Sequence, residues 1–109
     1  MALENLDVID VISINSFNKV VLTISDHYEW DDKNFHITLL KEKINCYLNI
    51  IENGNIYKIY EKALNKNFII QVVLLFSPNE AGKMFFNEIE NLLKLKKIEL
   101  VYYQMENFK

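Results

Sequence analysis

The chain has 109 residues, of which 50% are hydrophobic, 13% aromatic and 25% charged, and its formal net charge is −3. This length and apolar content predict one folded domain over residues 1–109 with a buried core, and they exclude a disordered chain. The acidic balance argues against a general binder of nucleic-acid backbones, and only two glycines leave little room for a Gly-rich phosphate loop.

A single cysteine, Cys46, excludes an intramolecular disulfide, which suits a reducing compartment. Glu4 and Asp7 interrupt the start of the sequence, so it does not have the pattern of a signal peptide. The longest apolar run ends at Phe76 and is far shorter than the roughly 20 residues of a membrane helix. We therefore expect a cytoplasmic protein that binds neither membrane nor nucleic acid.

The first elements in the chain are predicted to form a β-hairpin. Residues 8–14 are rich in Val and Ile, and residues 20–25 alternate in the period of two that is typical of a half-buried strand. Between them, the segment 15–18 has the Asn and Ser residues of a tight turn.

A long helix is predicted from about Asp32 to Asn53, with Asp31 as its N-cap and Gly54 just after its end. At about 100° per residue, one apolar stripe faces the core, and it comprises Ile37, Leu40, Ile44, Tyr47, Leu48 and Ile51. A second apolar strip lies roughly opposite and needs a cover, either residues 56–64 folding back as a short helical turn or a partner chain. This strip consists of Phe35, Leu39, Cys46 and Ile50.

Residues 68–76 form the most hydrophobic segment and predict a strand in the middle of the sheet. A second helix should follow, with Ser77 as N-cap and Pro78 and Glu80 completing a capping box. That helix is predicted to run to about Lys96, with a core face made of Gly82, Phe85, Phe86, Ile89, Leu92 and Leu93. Alternation over residues 98–104 predicts a last strand.

The element order is therefore ββαβαβ, which indicates the α+β class. The last two strands flank a helix, so they should run parallel with a right-handed crossover. We expect a two-layer sandwich, in which a four-stranded mixed sheet carries both long helices on one face.

Candidate chemistry concentrates between the second strand and the first helix. A group of carboxylates and imidazoles there has ordinary metal-ligand chemistry, but its spacing matches no established ligand pattern. Acidic residues before a helix also serve as caps, which is the simpler explanation, so no metal or cofactor is predicted. The group comprises Asp26, His27, Glu29, Asp31, Asp32 and His36.

Two residues of this junction keep alternative roles. His27 can act as a general base or hold the loop through backbone hydrogen bonds. Trp30 can line a pocket or pack against Phe35 at the start of the helix. Tyr57, Tyr60, Tyr102 and Tyr103 suit either a contact surface or a half-buried rim.

Three segments resemble a small family of uncharacterised bacterial proteins. The chain has Ser25-Asp26-His27 followed by Trp30, then Lys43-Ile44-Asn45 followed by Tyr47, then Gly54 followed by Ile56-Tyr57. The resemblance covers most of the chain and weakens after Phe76. The resemblance implies a bacterial cytoplasmic origin but no activity. It also implies that six residues form one structural or functional unit, namely Asp26, His27, Trp30, Asn45, Tyr47 and Tyr57.

Two functions remain open at this level. The first is a non-enzymatic module that binds another protein or itself as a homodimer, in the manner of neutralising or immunity proteins, through Phe35, Leu39, Cys46 and Ile50. The second is a small enzyme or ligand-binding domain at the Asp26-His27-Trp30 junction, with Asn45 and Tyr57 contributing. No residue has a catalytic signature, so the first function is favoured.

Overall fold

A computed structural model describes residues 11–30 and 35–105. The long elements follow in the predicted order, and the segment 56–64, for which a short helical turn was one of two alternatives, contains a short helix and a 3₁₀ turn. The elements are β1 (Val11–Ile14), β2 (Val20–Asp26), α1 (Phe35–Glu52), α2 (Ile56–Ile59), a 3₁₀ turn (Glu61–Ala63), β3 (Phe68–Leu74), α3 (Glu80–Leu95) and β4 (Ile98–Gln104). The predicted residues 8–10 of β1, and the predicted helix start at Asp31 and Asp32, lie outside the described residues.

The four strands form one sheet in the order β1-β2-β3-β4. β1 and β2 are antiparallel, whereas β2, β3 and β4 run parallel to one another. The hairpin turn depends on Asn15, whose Oδ1 accepts hydrogen bonds from the backbone N–H groups of Phe17 and Lys19 at 2.9 and 3.0 Å. The α+β class and the mixed four-stranded sheet are confirmed.

β3 lies between two neighbours, as its continuous apolar sequence predicted. Alternate residues of β2, β3 and β4 share one buried cluster with both long helices, so the helices cover the same face of the sheet. The cluster includes Leu22, Ile24, Ile70, Val72, Leu100, Leu40, Ile44, Tyr47, Phe86 and Leu93. The predicted two-layer sandwich is therefore confirmed.

Within residues 11–30 and 35–105, no long helix lies on the other face of the sheet. Val101 and Tyr103 of β4 are 38% and 50% exposed there, and Val11 of β1 is 50% exposed. Near the middle of this face, Gln71 donates a hydrogen bond from Nε2 to Oγ1 of Thr23 at 3.2 Å. This face therefore mixes apolar and mutually bonded polar side chains.

The N-terminus of α3 corrects the predicted cap. Asn79, not Ser77, is the N-cap, and its Oδ1 accepts a hydrogen bond from the Gly82 backbone N–H at 2.8 Å. The Ser77 hydroxyl instead donates to Oε1 of Gln104 at 2.6 Å. Both residue types favour the N-cap, and the later one defines the helix start.

Candidate functional site

The predicted site lies where β2 and β3 end, and its centre is a buried Asp–His pair. Asp26, the last residue of β2, is fully buried, and His36 in the first turn of α1 is 1% exposed. The His36 Nε2 and the Asp26 Oδ2 lie 2.5 Å apart. In the sequence both residues belong to a polar group whose favoured explanation was helix capping rather than metal binding, and they were not paired, since they are ten positions apart and lie on different elements.

The hydrogen bonds of this pair indicate which of its atoms carry protons. The His36 Nδ1 lies 3.1 Å from the Glu29 carbonyl oxygen, which only accepts, so Nδ1 carries a proton and donates. Nε2 and Oδ2 must then share one further proton, either as imidazolium and carboxylate or as neutral ring and acid. The other oxygen of Asp26 accepts from the Tyr28 backbone N–H at 3.0 Å. Both ring nitrogens and both carboxyl oxygens therefore have partners.

Trp30 covers this pair from the side of α3. Its ring stacks on the imidazole of His36 with centroids 3.9 Å apart, and its Nε1 donates to the Phe76 carbonyl at 3.1 Å. A Cβ placed on Gly82 would lie 2.6 Å from the Trp30 ring, so only glycine leaves room for the indole. The ring of Phe86 makes an edge contact with the Trp30 ring, with their centroids 6.0 Å apart. Trp30 thus fills the space between the two long helices at the strand ends.

The five predicted site residues do not form one group. Asp26 and Trp30 meet around His36, whereas His27 is exposed and has no hydrogen bond to any described residue. Asn45 is exposed on α1, about 14 Å along the helix from His36. Tyr57 packs on Phe68, at the opposite end of β3 and roughly 20 Å from Asp26.

A metal centre gains no support from the described residues. Among residues 11–30 and 35–105, no three His, Cys, Asp or Glu side chains lie close enough to hold an ion. Asp31 and Asp32, which belonged to the predicted polar group, fall outside these ranges. Cys46 is a free thiol and is half-buried.

The two apolar strips of α1 prove to be parts of one broad apolar arc. The buried centre of the arc comprises His36, Leu40, Lys43, Ile44 and Tyr47. At about 100° per residue, Leu39 and Ile50 lie to one side of this centre and Ile37 and Leu48 to the other. Because His36 and Lys43 are polar and lie at the centre of the arc, they divide its sequence pattern into two separate apolar strips.

The predicted interface strip is therefore partly covered within the chain. Leu39 and Ile50 pack against the core, Cys46 is half-buried, and Phe35 remains 55% exposed. Lys43 is fully buried, with its Nζ 5.3 Å from the centroid of the Tyr47 ring. The hydroxyl of Tyr47 donates to the Thr23 carbonyl at 3.2 Å, which fixes this side of α1 on the sheet.

A more open apolar surface lies on the other flank of α1, in the groove between α1 and α3. One concave space of about 490 Å³ and a second of about 430 Å³ are both lined by Ile89 and Leu92. We call this surface the interhelical groove, and its lining comprises Ile37, Thr38, Lys41, Ile44, Asn45, Leu48, Ala81, Met84, Phe85, Glu88, Ile89, Leu92, Leu93, Leu95 and Lys96.

The groove corrects one predicted core residue. Leu92 was placed on the core face of α3 but is 56% exposed, and Met84 and Leu95 beside it are 66% and 82% exposed. The ends of the two helices are joined by an ion pair between the Lys96 Nζ and the Glu52 Oε2 at 2.7 Å. A count of apolar positions on α3 beyond the core arc would have indicated this surface.

Comparison with known protein families identifies the family of this chain. The model of a family of unknown function, DUF6572, matches residues 1–106. The chain belongs to this family. No curated protein and no solved structure matches it. In the part of the chain that the structure describes, no helix is both long enough and apolar enough to cross a membrane.

Proposed function

We propose that this member of DUF6572 is a non-enzymatic protein-interaction module of the bacterial cytoplasm, and that it binds its partner through the interhelical groove. The observation that carries the proposal is the exposure of Met84, Leu92 and Leu95 on one side of α3. Contiguous apolar surface of this kind is a common mark of protein-binding sites.

The shape of the groove suits a helical partner. Its lining residues come from α1 and α3, which run in the same direction along the groove. Grooves of this kind accept the apolar side of an amphipathic helix, whose anchors recur three or four residues apart. Polar groups at the rim, among them Lys41, Asn45 and Glu88, would orient such a helix.

The buried pair supports a non-enzymatic role. The imidazole of His36 is covered by Trp30 and hydrogen-bonded at both nitrogens, so it cannot reach a substrate in this conformation. The alternative of a small enzyme at Asp26, His27 and Trp30 rests on the exposed imidazole of His27 alone. A neutralising or regulatory partner protein, such as an immunity protein, is a functional analogy rather than a consequence of the fold.

Site-specific photocrosslinking in the organism of origin tests this function. We expect a photoreactive amino acid at Leu92 to form a protein adduct of defined mass, because this side chain lies at the centre of the proposed contact. The matched control carries the same amino acid at His27, which is exposed outside the groove. Equal labelling at both positions, or none at Leu92, would contradict the proposal.

A further inference from the structure

The exposed side of α3 has a symmetric arrangement. Glu88 lies at its centre, Met84 and Leu92 lie four residues to either side, and Ala81 and Leu95 lie seven residues to either side. At about 100° per residue these five positions fall within one arc roughly 80° wide. An antiparallel helix related by a two-fold axis at Glu88 would therefore place Met84 against Leu92 and Ala81 against Leu95.

The charges in the groove are complementary under the same symmetry. Lys41 of α1 and Glu88 of α3 are exposed and line the same concave space, yet they form no ion pair with each other. In a two-fold arrangement, each Lys41 faces the Glu88 of the opposing copy. Four charges of zero sum would then surround the axis, and the like-charge contact between the two Glu88 side chains is offset.

We propose that the occupant of the interhelical groove is a second copy of this chain, with its α3 antiparallel to the first around an axis at Glu88. This inference rests on the proposed function and names the partner. The two helix layers face each other, and the two sheets lie on the outside. With 16 residues, α3 offers a seam about 24 Å long.

The open face of the sheet is a weaker site for self-association. Its exposed Val101 and Tyr103 lie on the last strand, toward one margin, whereas Gln71 and Thr23 bond to each other near its middle. Desolvating that polar pair would reduce the gain from burying the neighbouring apolar groups. The groove, in contrast, has apolar residues on both sides of its axis.

Sedimentation equilibrium of the full chain tests whether the partner is a second copy of this chain. We expect a reversible dimer with a dissociation constant on the order of micromolar, because only a few large apolar side chains are buried per copy. Leu92→Asp should weaken the dimer at least about tenfold, since it places a carboxylate in the seam. Asn87→Asp, which also adds one negative charge but on the polar side of α3, should leave it unchanged. A monomer at about 1 mM would overturn the proposal.

A charge exchange tests the position of the axis. Glu88→Lys and Lys41→Glu should each weaken the dimer about tenfold through like-charge contacts, and the double variant should restore it. All of these positions are exposed, so the variants should fold. A double variant as weak as the single ones would overturn the placement of Lys41 opposite Glu88.

Disulfide trapping tests the antiparallel geometry. In a Cys46→Ser background, Glu88→Cys lies on the two-fold axis and should form a disulfide-linked dimer on mild oxidation. Glu90→Cys, which projects to the polar side of α3, should not. Equal crosslinking at both positions would contradict the proposed packing.

The outcomes separate this inference from the proposed function. A monomer in solution, together with a Leu92 photoadduct to a different protein, would reject the second copy and retain the interaction module. A Leu92 photoadduct of twice the mass of the chain supports both. A monomer with no adduct rejects both.

Discussion

The strand-end cluster of Asp26, His36 and Trp30 and the interhelical groove make an instructive comparison. Each includes an apolar face of a helix with a polar side chain at its centre. This side chain is His36 of α1 in the cluster and Glu88 of α3 in the groove. His36 finds its partner within the chain, at 2.5 Å from Asp26. Glu88 is exposed and has no ion pair among the described residues, so its region stays open to solvent.

The difference shows that a polar side chain within an apolar region can have one of two roles. A polar side chain whose hydrogen bonds are complete inside the fold stabilises one conformation, and its chemistry is not available to a substrate. A polar side chain at the centre of an open apolar surface instead gives direction to binding. On this basis we propose that the first region serves folding and the second serves contact with another molecule.

The largest expected effect is on the buried pair. Asp26→Ala leaves a ring nitrogen of His36 and the Tyr28 N–H without partners, so it should lower the free energy of unfolding by about 3–5 kcal/mol. Urea denaturation followed by the fluorescence of Trp30 measures this loss. His27→Ala, the neighbouring exposed histidine, should change the stability by less than about 0.5 kcal/mol. Similar losses for both variants would contradict the structural role of the pair.

The two adjacent leucines of α3 sharpen the distinction between core and groove. Leu93 is 1% exposed, so Leu93→Ala should cost about 2–5 kcal/mol of unfolding free energy through a cavity. Leu92→Ala, at 56% exposure, should cost less than about 1 kcal/mol in the monomer. Denaturation of both variants in dilute solution tests this, and a large loss for Leu92→Ala would place that side chain in the core.

Close contact between Gly82 and Trp30 predicts a smaller loss. Gly82→Ala forces a methyl group to within 2.6 Å of the indole and should cost about 1–3 kcal/mol. In a Trp30→Leu background the same substitution should cost much less, because the ring that it meets is gone. A double-mutant cycle by thermal denaturation measures the coupling, and simple additivity would refute the contact.

Asp26→Asn should have the smallest effect at the strand ends, about 1 kcal/mol or less. The amide can donate to Nε2 of His36 and still accept from the Tyr28 N–H, so every hydrogen bond of the pair is kept. If Asp26→Asn is as damaging as Asp26→Ala in the same denaturation experiment, the charge of the carboxylate matters more than its hydrogen bonds.

Much of the fold was predictable because local signals and topology agree. The alternation of β2, the apolar run of β3 and the helix between β3 and β4 define a parallel pair with little ambiguity. Gly54 has φ +84°, as expected just after the end of α1. The cap of α3 was misplaced because Ser77 and Asn79 both suit an N-cap, and the sequence alone does not separate them.

The candidate site was less predictable, for a physical reason. Asp26 and Trp30 were found by their position at a strand end, but their link is His36, which reaches them only when α1 packs on the sheet. Asn45 and Tyr57 belong to other parts of the surface. The surplus of apolar positions on α3 was visible in the sequence, but the groove itself was missed because its residues on α1 and α3 face each other only in the folded chain.

A dilution series of ¹⁵N-labelled protein, followed by two-dimensional NMR from about 1 mM to about 10 µM, tests the groove most directly. We predict that concentration-dependent shifts are confined to amides of the groove-lining residues, with Glu88 at their centre, and that Tyr28 and Trp30 do not move. Shifts that cluster instead around His27, or on β4, would contradict the assignment of the groove as the contact surface.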